Sequence, residues 1–100
     1  MSSMQVSRRV DYALRATIHL ARQEAGQPTS VSKISQVEGI PKKFLEKILQ
    51  DLIQEEIVVS RRGAHGGYLL ARDPSEVSFR EVMEAVEGPL AINVCVGEQD

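Results

Sequence analysis

The stretch Ser60-Arg61-Arg62-Gly63-Ala64-His65-Gly66-Gly67-Tyr68 constrains this chain more than any other. Two arginines close the β-branched run Ile57-Val58-Val59, three glycines follow, and Tyr68-Leu69-Leu70 resumes an apolar, strand-like pattern. Glycine reaches positive φ without a Cβ clash, so the segment between the runs reads as a tight turn. The whole is then a β-hairpin whose tip carries cations and little bulk.

The residues before it carry helical periods. From Ser7 to about Ala25, Val10, Ala13, Leu14, Thr17, Ile18, Leu20 and Ala21 fall on one stripe, with Ser7 as N-cap and Gly26-Gln27-Pro28 as the stop. Ser30 starts a second helix, in which Val31, Ile34 and Val37 recur at threefold spacing until Gly39 at its C′ position. A third runs from about Pro41 to Glu55, burying Leu45, Ile48, Leu49, Leu52 and Ile53. The short Gly39-Ile40 connection forces a steep crossing, as in a helix-turn-helix. After the hairpin, Ser78 and Glu81 form a capping box for a fourth helix, with Phe79, Val82 and Val86 inward and Gly88-Pro89 at its end. The expected fold is mainly α with a small β-hairpin: a winged helix-turn-helix of three helices, a two-stranded wing and a fourth helix, over residues 1–88. Residues 89–100 show no period and are expected to be irregular.

Composition excludes several classes. One hundred residues make one small domain. No apolar run approaches the roughly 20 residues of a membrane span, and no apolar core of a signal peptide opens the chain. The lone Cys95 precludes an internal disulfide and suits a reducing cytosol, so a cytoplasmic, nucleoid-associated protein is expected. His19 and His65 lie on different elements, and no Ser/His/Asp or zinc-spaced cluster appears, so neither an enzyme nor a small-molecule substrate is expected. The net charge of −2 hides a division. Residues 1–72 carry 11 Lys/Arg against 7 Asp/Glu, whereas residues 73–100 carry Arg80 alone against seven acids. A basic front and an acidic rear fit a molecule that presents one face to phosphates; two solvated faces of unequal sign are the plainer alternative. The fourth-helix acids Glu81, Glu84 and Glu87 read as a solvated face.

With its stripe buried, the third helix exposes Lys42, Lys43, Glu46, Lys47 and Gln50 near the end that a recognition helix points at base edges. Lys43 can donate to guanine or a phosphate, and Glu46 can accept from the cytosine amino group. A carboxylate near phosphates is unfavourable unless it reads a base; otherwise the same residues are an ordinary solvated helix face. Strand alternation sends Arg61 and Arg62 to opposite faces, one of them suited to a narrow minor groove. His65 at the tip is either a phosphate contact or a neutral turn residue. Tyr12 and Phe44 read as core or interface residues rather than base-stacking platforms.

These residues together resemble the Rrf-two family of winged-helix regulators, over residues 6–95. The markers are Asp11-Tyr12-Ala13-Leu14-Arg15-Ala16 and Gly39-Ile40-Pro41-Lys42-Lys43-Phe44-Leu45-Glu46-Lys47-Ile48-Leu49, then Ser60-Arg61-Arg62-Gly63 through Gly66-Gly67-Tyr68-Leu69-Leu70-Ala71, and Val82-Met83-Glu84-Ala85-Val86-Glu87-Gly88-Pro89. The resemblance implies that Lys43 and Glu46 face the major groove, with Glu46 reading cytosine, and that Arg62 enters the minor groove. It implies double-stranded DNA as partner and a homodimer. Cys95 matches the first of three cysteines that hold an iron–sulfur cluster in sensing members, and residues 89–100 match the start of the cluster-binding loop. There are departures. Glu56 stands where relatives often have glycine, which strains that turn, and Ala64 replaces a frequent wing proline. The other cluster ligands and the dimerisation helix would lie beyond Asp100, and one thiolate cannot fill the four ligand positions of a two-iron, two-sulfur cluster. Either the chain is a piece of a longer protein, which is the expectation, or the sensor has been lost. No cofactor is then expected in this chain, and a 2Fe-2S cluster only in a complete protein. The expected function is DNA-binding transcriptional regulation. The alternative is a winged-helix protein-interaction module without DNA binding, motivated by the acidic fourth helix.

Overall fold

The computed structural model describes residues 7–88. Their order is α1 (Arg8–Ala21), α2 (Val31–Glu38), α3 (Lys42–Gln54), β1 (Val58–Arg61), β2 (Gly67–Leu70), a one-turn 3-10 helix (Pro74–Glu76) and α4 (Phe79–Glu87). This is the expected winged helix-turn-helix. Serine hydroxyls start α1, α2 and α4: Ser7 accepts from the Val10 amide, Ser30 from Lys33 and Ser78 from Glu81. The Glu81 carboxylate returns the bond to the Ser78 amide and completes the capping box.

Two boundaries differ from expectation. Helix α1 stops at Ala21, short of Ala25, where the Arg22 amide already bonds the Ile18 and His19 carbonyls. Arg22-Gln23-Glu24 offers nothing apolar to bury, so no packing holds another turn. Pro41 is the N-cap of α3 rather than part of its first turn.

The core joins Val10, Ala13, Ala16 and Leu20 of α1 to Ile34, Ile40, Leu45, Ile48, Leu49, Leu52, Ile57, Val58, Val82 and Val86. Leu14, Val31 and Ile53 pack against it only partly buried, and Ile18, Val37 and Phe79 are 49%, 56% and 49% exposed. Ile18 follows buried Thr17 and is rotated about 100° from it. Two-turn α2 buries Ile34 alone. Phe79, the first residue of α4, joins Ile18 at the lip of an apolar cleft between α1 and α4.

Helix α3 ends in a Schellman motif: the Glu56 amide bonds the Ile53 carbonyl at 2.9 Å and the Ile57 amide bonds Leu52 at 2.9 Å. The motif requires a left-handed residue, and Glu56 supplies it at φ 62°. The expected strain is therefore present, at a cost of about 1–2 kcal/mol relative to a relaxed backbone. That turn delivers Ile57 to the core and aims β1 outward.

The strands pair antiparallel, Val58 with Leu70 through Arg61 with Gly67. One pairing was not legible in the sequence. Thr29, just before α2, exchanges two backbone bonds with Tyr68, at 2.9 and 2.8 Å, which ties the hairpin root to the helix-turn-helix. A single bridging residue has no periodicity to reveal it.

A candidate nucleic-acid interface

The turn between α2 and α3 is held from three directions. Gly39 takes φ 67°, and the Gly39 and Ile40 amides both bond the Ser35 carbonyl. The Ser35 hydroxyl donates to the Ile40 carbonyl at 2.6 Å. From α1, Arg15 donates to the Glu38 carbonyl at 2.7 Å, while His19 Nδ1 lies 2.8 Å from Glu38 Oε2. The angle at which α3 leaves this turn is thus fixed by bonds as well as by buried Ile40.

On α3 the structure brings Lys42, Lys43, Glu46, Lys47 and Gln50 onto the exposed side opposite Leu45, Ile48, Leu49 and Leu52. Glu46 has no hydrogen-bond or ion-pair partner among the described residues, and neither do Lys42 and Lys43. Lys47 differs: its Nζ lies 3.2 Å from Asp51 Oδ1, and Asp51 Oδ2 lies 3.2 Å from Arg9 of α1. The i,i+4 spacing made the first bond legible; the second crosses between helices. Helix α3 also starts without a side-chain cap, so its first-turn amides keep no acceptor of that kind.

The hairpin gathers Arg61, Arg62 and His65 at its exposed end. Arg61 is the last residue of β1 and Arg62 lies beyond it, so strand alternation does not assign Arg62 a face. The Gly66 amide bonds the Gly63 carbonyl at 3.0 Å and closes the turn. The glycines serve different needs. Gly67 takes φ 152° and any Cβ there would strike the Thr29 carbonyl, whereas Gly66 lacks positive φ and is needed because a Cβ would strike the Arg61 carbonyl. Cys95 lies outside the described residues.

The α4 side treats charge differently, and its acids are not the solvated row expected. Arg72 reaches Glu81 at 2.9 Å and the Glu56 and Glu76 carbonyls at 3.3 Å each. Arg80 pairs with Glu84 at 3.0 Å, and the Ser7 hydroxyl donates to Glu87. The hydrogen bond from Arg72, helped by the Ser78 amide, holds the Glu81 carboxyl below its usual range. The Ser75 amide and hydroxyl do the same for Asp73.

Sequence reasoning missed a cleft beside α3, lined by Arg8, Arg9, Tyr12, Phe44, Lys47 and Ile48. Tyr12 and Phe44 were legible as interface-type residues; their meeting across two helices had no local signal. Among the described residues, no helix is long and apolar enough to cross a membrane, and no group of three His, Cys, Asp or Glu side chains could hold a metal ion.

Residues 6–100 match the Rrf2 family model, described as an iron-dependent transcriptional regulator. The chain is 39% identical over 88 residues to a putative HTH-type transcriptional regulator of Mycobacterium tuberculosis, covering 88% of this chain and 55% of that one. It is 37% identical over 94 residues to an rrf2-like putative HTH-type regulator of Rhodobacter capsulatus, covering 91% and 63%. It therefore spans between half and two thirds of the length of these curated relatives. Among solved structures, CymR of B. subtilis, titled its global cysteine regulator, superposes with a TM-score of 0.82 at 31% identity, covering 87% of this chain and 67% of that one. IscR of T. potens gives 0.80 at 30% identity, covering 97% and 74%. Motifs, fold and relatives agree, and the chain belongs to the Rrf2 family, the Rrf-two family of its sequence resemblance.

Proposed function

We propose that this chain binds duplex DNA as the reading head of a transcriptional regulator, with α3 in the major groove and the 61–67 wing on the adjacent minor groove. Lys43 and Glu46 contact base edges, Glu46 accepting from cytosine; Lys42, Lys47 and Gln50 flank them. Arg62 enters the minor groove, with Arg61 and His65 toward the backbone. One observation carries the reading: Lys42, Lys43, Arg61 and Arg62 stand exposed with no carboxylate partner among the described residues, whereas Arg15, Arg72 and Arg80 each hold one. Uncommitted cations on the reading helix and the wing are what phosphate and base recognition need.

The reading extends to a homodimer on paired half-sites, since linking two heads raises affinity through effective concentration. Residues 1–88 form the DNA-binding part of this scheme and 89–100 the start of the effector loop. The described residues provide no ligand set for an iron–sulfur cluster. Cys95, outside the described residues, is the candidate cluster ligand within this chain.

Fluorescence anisotropy against a panel of duplexes tests the reading. Arg62→Ala weakens binding, and Glu46→Ala lowers discrimination against bases other than cytosine by about 1–3 kcal/mol. Unchanged affinity in both variants removes it. Binding that is indifferent to salt points instead to a protein partner.

A further inference from the structure

We propose that the cleft between the first turn of α1 and the exposed side of α3 is a further DNA contact, one that grips the sugar-phosphate strand bordering the groove α3 enters. The proposal rests on the DNA-binding reading above and adds residues outside the helix-turn-helix and wing. The cleft measures about 210 Å³; Arg8, Arg9 and Lys47 supply its charge, and Tyr12, Phe44 and Ile48 its apolar surface. Phe44 is 54% exposed, a large ring left open on a helix otherwise charged on that side. Cations beside apolar side chains match a phosphodiester strand, whose phosphates take the guanidinium and ammonium donors while its deoxyribose lies against the apolar surface.

Asp51 organises the cationic edge. Its side chain is only 14% exposed, and its two oxygens hold Arg9 and Lys47 at 3.2 Å each, which fixes the two cations beside each other. Arg8 has no carboxylate partner among the described residues. Three cations against one carboxylate leave the cleft with an excess of positive charge suited to successive phosphates. The cleft is also continuous with the reading face. Lys47 lines the cleft and stands one helical turn from Lys43 on the exposed side of α3. The α1 residues therefore meet the strand as it leaves the groove.

A salt titration of binding to a mixed-sequence duplex tests this, because a phosphate contact is sequence-independent and registers as released counterion. Arg8→Ala lowers the slope of log affinity against log salt by about one and costs about fivefold in affinity at 0.15 M salt. Phe44→Ala weakens binding at every salt concentration with the slope unchanged, since a neutral ring releases no ion. Arg22→Ala is the control, an exposed arginine about 21 Å along α1 from Arg8, and it leaves slope and affinity as they were. Melting curves show each variant folded. Should Arg8→Ala change the slope no more than Arg22→Ala while the unaltered chain binds normally, the cleft is not a contact and the DNA reading stands. Should the unaltered chain show no salt-dependent binding, both readings fall together.

Discussion

On the α4 side of the molecule, Arg72 and Arg80 are held by carboxylates and carbonyls of the same chain, whereas on the α3–wing side Lys42, Lys43, Arg61 and Arg62 face solvent. Both sides are rich in charge. Internal partners depress carboxylate pKa values and fix loop geometry on the first side. On the second, Lys47 is paired with Asp51, but the four cations without carboxylate partners leave electrostatic attraction available to an outside ligand. The comparison predicts a division of effects: charge changes near α4 register in stability, and those on α3 and the wing register in binding.

The largest effect comes from the core beneath both sides. Leu49→Ala, at a fully buried α3 position, lowers unfolding free energy by about 2–5 kcal/mol in a denaturant titration, and both sides melt in one transition. Two separate transitions would break the comparison, because the sides would then be independent units. A smaller change sharpens it. Glu56→Gly relieves the left-handed strain between α3 and β1, and the expected gain is about 0.5–1 kcal/mol in the same measurement. A loss would mean that the Glu56 side chain contributes more than its backbone costs.

The smallest effect lies on the α4 side. Arg72→Met lowers the Tm slightly at neutral pH without altering DNA affinity. Because the folded-state pKa of Glu81 is depressed, its contribution is present above the unfolded glutamate value of 4.5 and is lost as pH falls through the lower folded value. The Tm difference between Arg72→Met and the unaltered chain therefore closes in acid. A gap that persists would place the effect in the two carbonyl bonds of Arg72 instead.

Local chemistry was readable in the residues, and tertiary geometry was not. Ser7, Ser30 and the Ser78/Glu81 box announce helix starts because a hydroxyl near orphan amides needs no distant partner. Gly39 announced the turn for the same reason, and the family resemblance located the strained Glu56. Ile18, Val37 and Phe79 stay exposed, which was not legible because apolar spacing says which residues share a face but not how wide the covered face will be. The Thr29–Tyr68 bridge and the Arg9–Asp51 pair join segments 39 and 42 residues apart, a distance no local pattern encodes. Among the site residues, the α3 row was legible as the helix face left over once the core was assigned. The adjoining cleft required α1 and α3 to be placed together.

An amide chemical-shift map of the chain during titration with duplex DNA addresses the division of labour most directly. Residues 42–50 and 61–67 should shift together, while those of α4 (79–87) keep their positions. Shifts concentrated on α4 with the reading helix and wing silent would contradict it, and would assign the molecule's binding face to the side whose charges already have partners.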